Sequence, residues 1–222
     1  MEKKPVFVVG KNSRKVRQRL FQELPSYLRP GLKVLDVGAG DLTTARRMHN
    51  EHGVSVDAID LALPHDNDIT CHIHDLNESW PRDMTNRYDV VVSTACIEHI
   101  ENPYHFMREV SRVLKQGGIA IISTHDINYY WSKLHFMATN HHQAFWWKKD
   151  CNPVGEHRVA LNEEHLQWAG SRAGIVPVRS FFGNPNLRFI PLIDGIKKIP
   201  NWRYLSQEVF VVFRKVQTER IA

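Results

Sequence analysis

The chain has 222 residues, a formal net charge of +5 and a pI near 9.2. That is enough for one domain with a full core, and with no long Lys/Arg run its basic surface reads as an ordinary solvated face rather than a nucleic-acid footprint. Cys71, Cys96 and Cys151 are odd in number and far apart, which argues against a disulfide framework; no run reaches membrane-spanning length, and the N-terminal apolar run is too short for a signal peptide. A reducing cytoplasm is the expected setting.

Residues 13–28 carry apolar side chains at helical spacing (Val16, Leu20, Phe21, Leu24, Leu28), and Pro30-Gly31 should end that helix. The stretch KVLDVGAGDLTTA, 33–45, follows. Its first half alternates as a strand, Gly38 and Gly40 break it, and helical spacing resumes at Leu42. A strand, a glycine turn and a helix form the opening of an α/β nucleotide-type site, because glycine lets the main chain approach a ligand closely. Charge then selects the ligand. A pyrophosphate would lie on the helix N-terminus, but here Asp36 and Asp41 flank the turn and Thr43 stands where a dinucleotide site has its third glycine. A ligand with a positive amine and no phosphate, such as S-adenosylmethionine, suits this turn. A plain strand–turn–helix with Asp41 as helix N-cap is compatible with the same residues.

The helix from 42 should stop at Gly53, and 54–59 reads as a buried strand ending at Asp60. An acid about 20 residues past the glycines, at a strand's carboxyl end, can take a ribose diol in two hydrogen bonds; an exposed strand-end aspartate is the plainer reading. Residues 69–74 make a third strand, followed by Asp75-Leu76, where a carboxylate can accept an adenine amino group and a backbone N–H can serve a ring nitrogen. YDVVVST, 88–94, is a fourth strand. A helix over 103–114, a turn at 115–118 and a fifth strand at 119–123 follow. Strands alternating with helices imply a doubly wound parallel sheet with helices on both faces. Further on, 162–173 reads as a helix capped by Asn162, and 176–182 and 208–213 as two final strands.

LDVGAG, Asp60, Asp75-Leu76, YDVVVSTACIEHIENP and VLKQGGIAIIST resemble, in order and spacing, the successive motifs of class I S-adenosylmethionine-dependent methyltransferases. CIEHIENP with REVSRVLKQGG is most similar to the small-molecule branch that includes ubiquinone-pathway O-methyltransferases and methyltransferases of surface-glycan synthesis. The resemblance implies a Rossmann-like seven-stranded sheet, mostly parallel with an antiparallel last strand. It implies one domain over 1–222: a helical cap (1–30), a cofactor-binding core (31–124), an aromatic-rich acceptor-side segment (125–161), and a C-terminal helix and strands (162–222) with an insertion at 184–204. Asp36, Gly38, Ala39 and Gly40 would hold the methionine end of the cofactor, Asp60 and Leu61 the ribose, Asp75 and Leu76 the adenine, and Thr94 and Ala95 would lie beside the sulfonium.

Methyl transfer to a hydroxyl requires a positioned acceptor and a base for its proton, and histidine is the side chain best matched in pKa. Among thirteen histidines, His125 follows the fifth strand at the carboxyl edge, and the His125-Asp126 pair stands where many relatives have Pro-Asn. His157 precedes the late helix where relatives have a histidine facing the acceptor. His99 belongs to a Glu-His pair with Glu98. In some quinone-pathway relatives a similar cluster binds a divalent metal, but Ala95 stands in place of one of its acids, so no metal is expected here; Glu98 and His99 then begin the helix and line the site floor. His72 and His74 share a strand face and read as structural. The aromatic residues between 128 and 151 form either a lid that stacks on a sugar or quinone, or simple helix packing.

The expected acceptor is a small molecule, with a sugar, glycan or lipid-linked intermediate favoured. A SAM-binding regulatory subunit without catalysis, or an RNA or protein methyltransferase, are the other readings; no RNA-binding module is visible. The 184–204 insertion reads as a lid, a homodimer contact, a membrane-leaning surface, or an extra hairpin and helix.

Overall fold

The computed structural model describes residues 13–145, 156–184 and 202–216. The expectations on the 184–204 insertion, and those on Trp146, Trp147 and Cys151, therefore fall almost wholly outside the described residues. Seven strands form one sheet: β1 (Lys33–Val37), β2 (Ser55–Asp60), β3 (Thr70–Ile73), β4 (Tyr88–Ser93), β5 (Leu114–His125), β6 (Ile175–Phe182) and β7 (Glu208–Lys215). Their order is β3-β2-β1-β4-β5-β7-β6. All neighbouring pairs from β3 to β5 are parallel, and β7 runs antiparallel to both β5 and β6. The order reverses between β1 and β4, so a ligand crevice is expected beyond the carboxyl ends of these two strands.

Among the described residues five α-helices accompany the sheet: α1 (Ser13–Glu23), α2 (Thr43–His52), α3 (Pro103–Val113), α4 (Tyr130–Thr139) and α5 (Glu163–Arg172). Period-two alternation splits the strands between two cores. Leu20 of α1 and Ala45 and Met48 of α2 pack on Val34, Val56, Val90, Val92 and Ile121. Phe106 and Val110 of α3 and Leu166 of α5 pack on Leu35, Ile59, Val91, Ile122 and Val211. Helices thus cover both faces, as a parallel sheet of near-continuous apolar strands requires.

Several boundaries differ from expectation, each for a local reason. The first helix ends at Glu23 and tightens into a 3₁₀ turn over Leu24–Ser26, because Pro25 has no N–H to continue the ladder. The N-cap of α2 is Leu42, left-handed at φ 61°, rather than Asp41, although Asp41 Oδ1 accepts the Thr43 N–H at 3.0 Å. Glu98 and His99 do not begin a helix. They lie in a 3₁₀ turn over Ile97–His99, and α3 starts at Pro103, capped by Asn102, which accepts the His105 N–H. The glycine turn at 115–118 is drawn into the start of β5, where the register against β4 shifts between Tyr88 and Val90. His125 is consequently the last residue of β5 rather than the first after it. The Asn162 cap is as expected, accepting the His165 N–H at 2.9 Å.

Candidate active site

The glycine turn after β1 is held open by its neighbours. Gly38 adopts φ 71° and Gly40 φ 52°. A Cβ on Gly38 would lie 2.5 Å from Cys96 Sγ, whereas one on Gly40 would meet nothing within 4 Å. The first glycine is therefore needed for packing and the second faces open space, as a turn that cradles a ligand should. Asp60, at the end of β2, is turned toward the same loop. Its Oδ2 accepts the Gly40 N–H at 2.9 Å and its Oδ1 accepts the Leu61 N–H at 2.7 Å. Both oxygens keep lone pairs for further donors.

Asp36 lies under this turn, buried, with Oδ2 lacking a hydrogen-bond partner among the described residues. Burial, with the Asp60 charge added, raises its pKa to about 7. A buried acid of this kind is completed by a cationic donor, and the ammonium of an amino-acid-bearing ligand supplies one. From α1, Arg17 reaches Asp41 at 3.1 Å and so ties the N-terminal helix to the turn.

Across the switch point, Ala95 follows β4 at φ 49° and donates its N–H to Ser123 Oγ at 3.0 Å. Thr94 is half-buried beside it. Asp75 stands apart: it is exposed and its Oδ1 accepts both Asn77 N–H (2.9 Å) and Asn77 Nδ2 (3.0 Å), while Leu76 is buried.

The three expected base candidates do come together, around a residue that the sequence marks only weakly. Glu98 is fully buried. Its Oε2 accepts the Thr124 hydroxyl at 3.1 Å and its Oε1 the His125 Nδ1–H at 3.0 Å. Its backbone oxygen accepts the N–H groups of Arg158 (2.7 Å) and Val159 (3.1 Å), which docks the segment that carries His157. His99 Nδ1 lies 2.7 Å from the Glu156 carbonyl and fixes the other side of that segment. The His157 ring is then enclosed by His125 at 4.5 Å, His99 at 4.8 Å and Phe145 at 5.0 Å between centroids, and its Nδ1 is buried without a hydrogen-bond partner among the described residues. Phe145 thus brings the aromatic segment against the histidine cluster.

Electrostatics separates the histidines. Burial alone would lower the His125 imidazole, but Glu208 and then Glu98 outweigh it and lift its pKa to about 9. Burial and the adjacent His125 charge push His157 down to about 4. Burial would raise Glu98, yet the His125 hydrogen bond and charge hold it near 2. At neutral pH, then, His125 is a fixed imidazolium and His157 a neutral base. His99 is close enough to Asp60 for its charge to act on that acid, which links the histidine cluster to the end of β2.

One oxygen of Glu98 and one nitrogen each of His99 and His157 lie within 4.8 Å of one another, a spacing that a divalent ion could span. The donor set does not fit that use. A cation there would face the His125 imidazolium, which already donates to Glu98 Oε1 at 3.0 Å.

These charges predict a pH dependence. His125, raised above its unfolded value near 6.5, contributes stability that is complete below that value and lost as pH rises through about 9. Glu208, a buried acid raised to about 8, penalises the folded state in the same direction. The denaturant midpoint should therefore fall between pH 6.5 and 9; a flat midpoint across that window would contradict the assigned charges.

Two site residues escape the sequence reading. Glu208 looks like the polar start of a strand, and nothing local shows that the antiparallel ladder sets it directly opposite His125. Arg17 looks like one of several solvated helix charges until α1 is seen to lie over the turn.

A family profile described as "Methyltransferase domain" matches residues 10–179. Ubiquinone biosynthesis O-methyltransferase of Rickettsia bellii is 36% identical over 101 residues, which are 42% of this chain and 42% of that protein. The chain thus spans less than half the length of the curated relatives it matches. The structure of an S-adenosylmethionine-dependent methyltransferase from Mesorhizobium loti superimposes with a TM-score of 0.60 at 19% identity, covering 92% of this chain and 100% of that one. Phosphoethanolamine N-methyltransferase 2 of Haemonchus contortus, in complex with phosphomonomethylethanolamine and S-adenosylhomocysteine, gives 0.60 at 18% identity over 90% of this chain and 53% of that one. No described helix is long and apolar enough to cross a membrane.

Proposed function

Since the chain belongs to the class I methyltransferases, whose cofactor is S-adenosylmethionine, we propose that it transfers the methyl group to a hydroxyl of a small molecule seated against the His99–His125–His157 cluster. The observation that carries this reading is His157 itself: a neutral, desolvated imidazole whose buried Nδ1 has no partner among the described residues. An acceptor O–H would supply one. The O-methyltransferases of ubiquinone biosynthesis among the relatives support oxygen as the methylated atom; a phenolic ring or a sugar hydroxyl both meet the chemistry.

In this reading Asp36, Gly38, Ala39 and Gly40 hold the methionine end, with Asp36 taking the ammonium. Asp60 and Leu61 receive the ribose, Asp75 and Leu76 the adenine, and Thr94 and Ala95 border the sulfonium. The transfer is an in-line displacement, in which positioning alone contributes roughly 7–11 kcal/mol. The oxygen lone pair forms the O–CH₃ bond, the C–S bond breaks onto sulfur, and the acceptor proton passes to His157.

The test uses methyl-labelled S-adenosylmethionine with the purified protein and host extract, separated afterwards into RNA, protein, lipid-linked and small-molecule fractions. Label is expected in a small-molecule or lipid-linked hydroxyl. His157→Ala should lower its rate of appearance by about 10²- to 10⁴-fold, the usual contribution of a positioned base. Label in RNA or protein, or full turnover by both His157→Ala and His125→Ala, would overturn the reading.

A further inference from the structure

The final strand brings one buried acid to this cluster from beyond residue 179, where the family match ends. Glu208 opens β7 and pairs across the antiparallel ladder with His125. Ser206, itself fully buried, fixes it there by donating to the Glu208 carbonyl at 2.7 Å and accepting the Glu208 N–H at 3.1 Å. The side chain is 4% exposed as a residue, and Oε1 lies 3.1 Å from His125 Nδ1. That nitrogen has one proton to give, and Glu98 receives it. Each Glu98 oxygen thus has a directed donor, from His125 or Thr124, while neither oxygen of Glu208 has a directed hydrogen bond among the described residues. A buried carboxylate left in this state is costly unless something requires its charge.

The methylation supplies a requirement. The sulfonium loses its positive charge when the C–S bond breaks onto sulfur, and the acceptor oxygen sheds a proton as the O–CH₃ bond forms. One unit of positive charge therefore moves from the cofactor to the histidine cluster. With Glu98 ionised and His125 protonated, ionisation of Glu208, whose burial raises its pKa to about 8, gives that cluster a net charge of −1 that becomes neutral on receiving the proton, so the balance acts at mildly alkaline pH. Without Glu208 it would begin neutral and end as a second buried cation beside His125, 4.5 Å from the His157 ring.

We propose that Glu208 is the positioning residue of the proton transfer: acting through His125, it sets the charge against which His157 Nδ1 takes the acceptor's proton, and its carboxylate balances that proton. This rests on the O-methylation reading above. The groups that act on Glu208 are His125 from β5, Glu98 from the 3₁₀ turn and Asp126 just after β5. Those that act on His157 are His125, Glu98 and His99.

The experiment is NMR titration of the full chain with labelled histidine, saturated with S-adenosylhomocysteine, as wild type and as Glu208→Gln and Glu208→Asp. The expected result is a wild-type His125 that remains protonated well above neutral pH, and a Glu208→Gln variant in which it titrates at least one pH unit lower. Glu208→Asp should restore part of that shift. With the labelled extract fraction as acceptor source, Glu208→Gln should lower kcat about 10- to 100-fold and leave KM for S-adenosylmethionine unchanged.

An unmoved His125 in a folded Glu208→Gln overturns the proposal. So does a wild-type His125 titrating near its ordinary value of about 6.5, a test that needs no variant to fold. Intact coupling with no labelled hydroxyl in any fraction overturns instead the O-methylation reading on which it rests.

Discussion

Gly38→Ala should melt roughly 5–15 °C below the wild type and bind S-adenosylmethionine poorly. Two separate costs combine at this position. At φ 71° an L-residue with a side chain is strained by about 1–2 kcal/mol. The added Cβ would also fall 2.5 Å from Cys96 Sγ and 2.7 Å from Cys96 Cβ, an overpacking that costs about 1–3 kcal/mol. For a domain of this size each kcal/mol moves the melting temperature by about 2–4 °C. The two parts can be told apart by adding Cys96→Gly, which removes the clashing atoms and leaves the backbone strain. The double variant should recover part of the loss by thermal denaturation. No recovery would mean that Cys96 is not the obstacle. The binding defect follows from the same contact, because Cys96 is next to Ala95, whose own left-handed backbone is set by its bond to Ser123.

The second large effect is on the cofactor. Asp60→Ala should weaken S-adenosylmethionine about 10²- to 10⁴-fold by calorimetry, while Asp75→Ala costs less. A carboxylate that receives two ribose hydroxyls makes two charge-assisted hydrogen bonds, each contributing about 1.5–3 kcal/mol. Truncation also frees the Gly40 N–H, which Asp60 Oδ2 accepts at 2.9 Å, and so loosens the turn that the ligand must meet. Asp75 is exposed and already engaged by Asn77 at both its N–H and its side-chain amide. Unchanged affinity in Asp60→Ala would remove the ribose assignment.

How much of this was legible in the chain depends on how local the cause is. The strand–turn–helix and the acid that meets it were legible because their determinants are contiguous: LDVGAG places strand, turn and helix within a dozen residues, and Asp60 follows at the spacing that a βαβ unit imposes, where it accepts the Gly40 N–H. The mostly parallel seven-stranded sheet with its antiparallel last strand was legible through the resemblance that the motifs carry, and the order of its strands comes from the structure. The acceptor half was legible only as a set of candidates. His99, His125 and His157 were each visible as titratable residues near strand ends, but which is cation and which is base depends on Glu208, 83 positions beyond His125. No short-range pattern encodes a cross-strand pair of that separation. The misplaced turn at 115–118 has the same origin: Lys115-Gln-Gly-Gly has turn composition, and pairing with β4 draws it into the strand.

The position of β7 also bears on how the protein is made. This strand is synthesised after the other six strands of the sheet, yet it lies inside it between β5 and β6, antiparallel to both. Until it arrives, β5 presents an unpaired edge and β6 has no sheet to join. Such long-range pairing is slow to form and exposes an edge meanwhile. The strands and turn that bear the residues proposed for the cofactor, from β1 to β5, precede it in synthesis and do not need it for their own pairing. A nascent chain can thus assemble the cofactor crevice before Glu208 reaches His125. Synthesis itself would then impose an order in which the methyl donor's seat precedes the machinery that spends it.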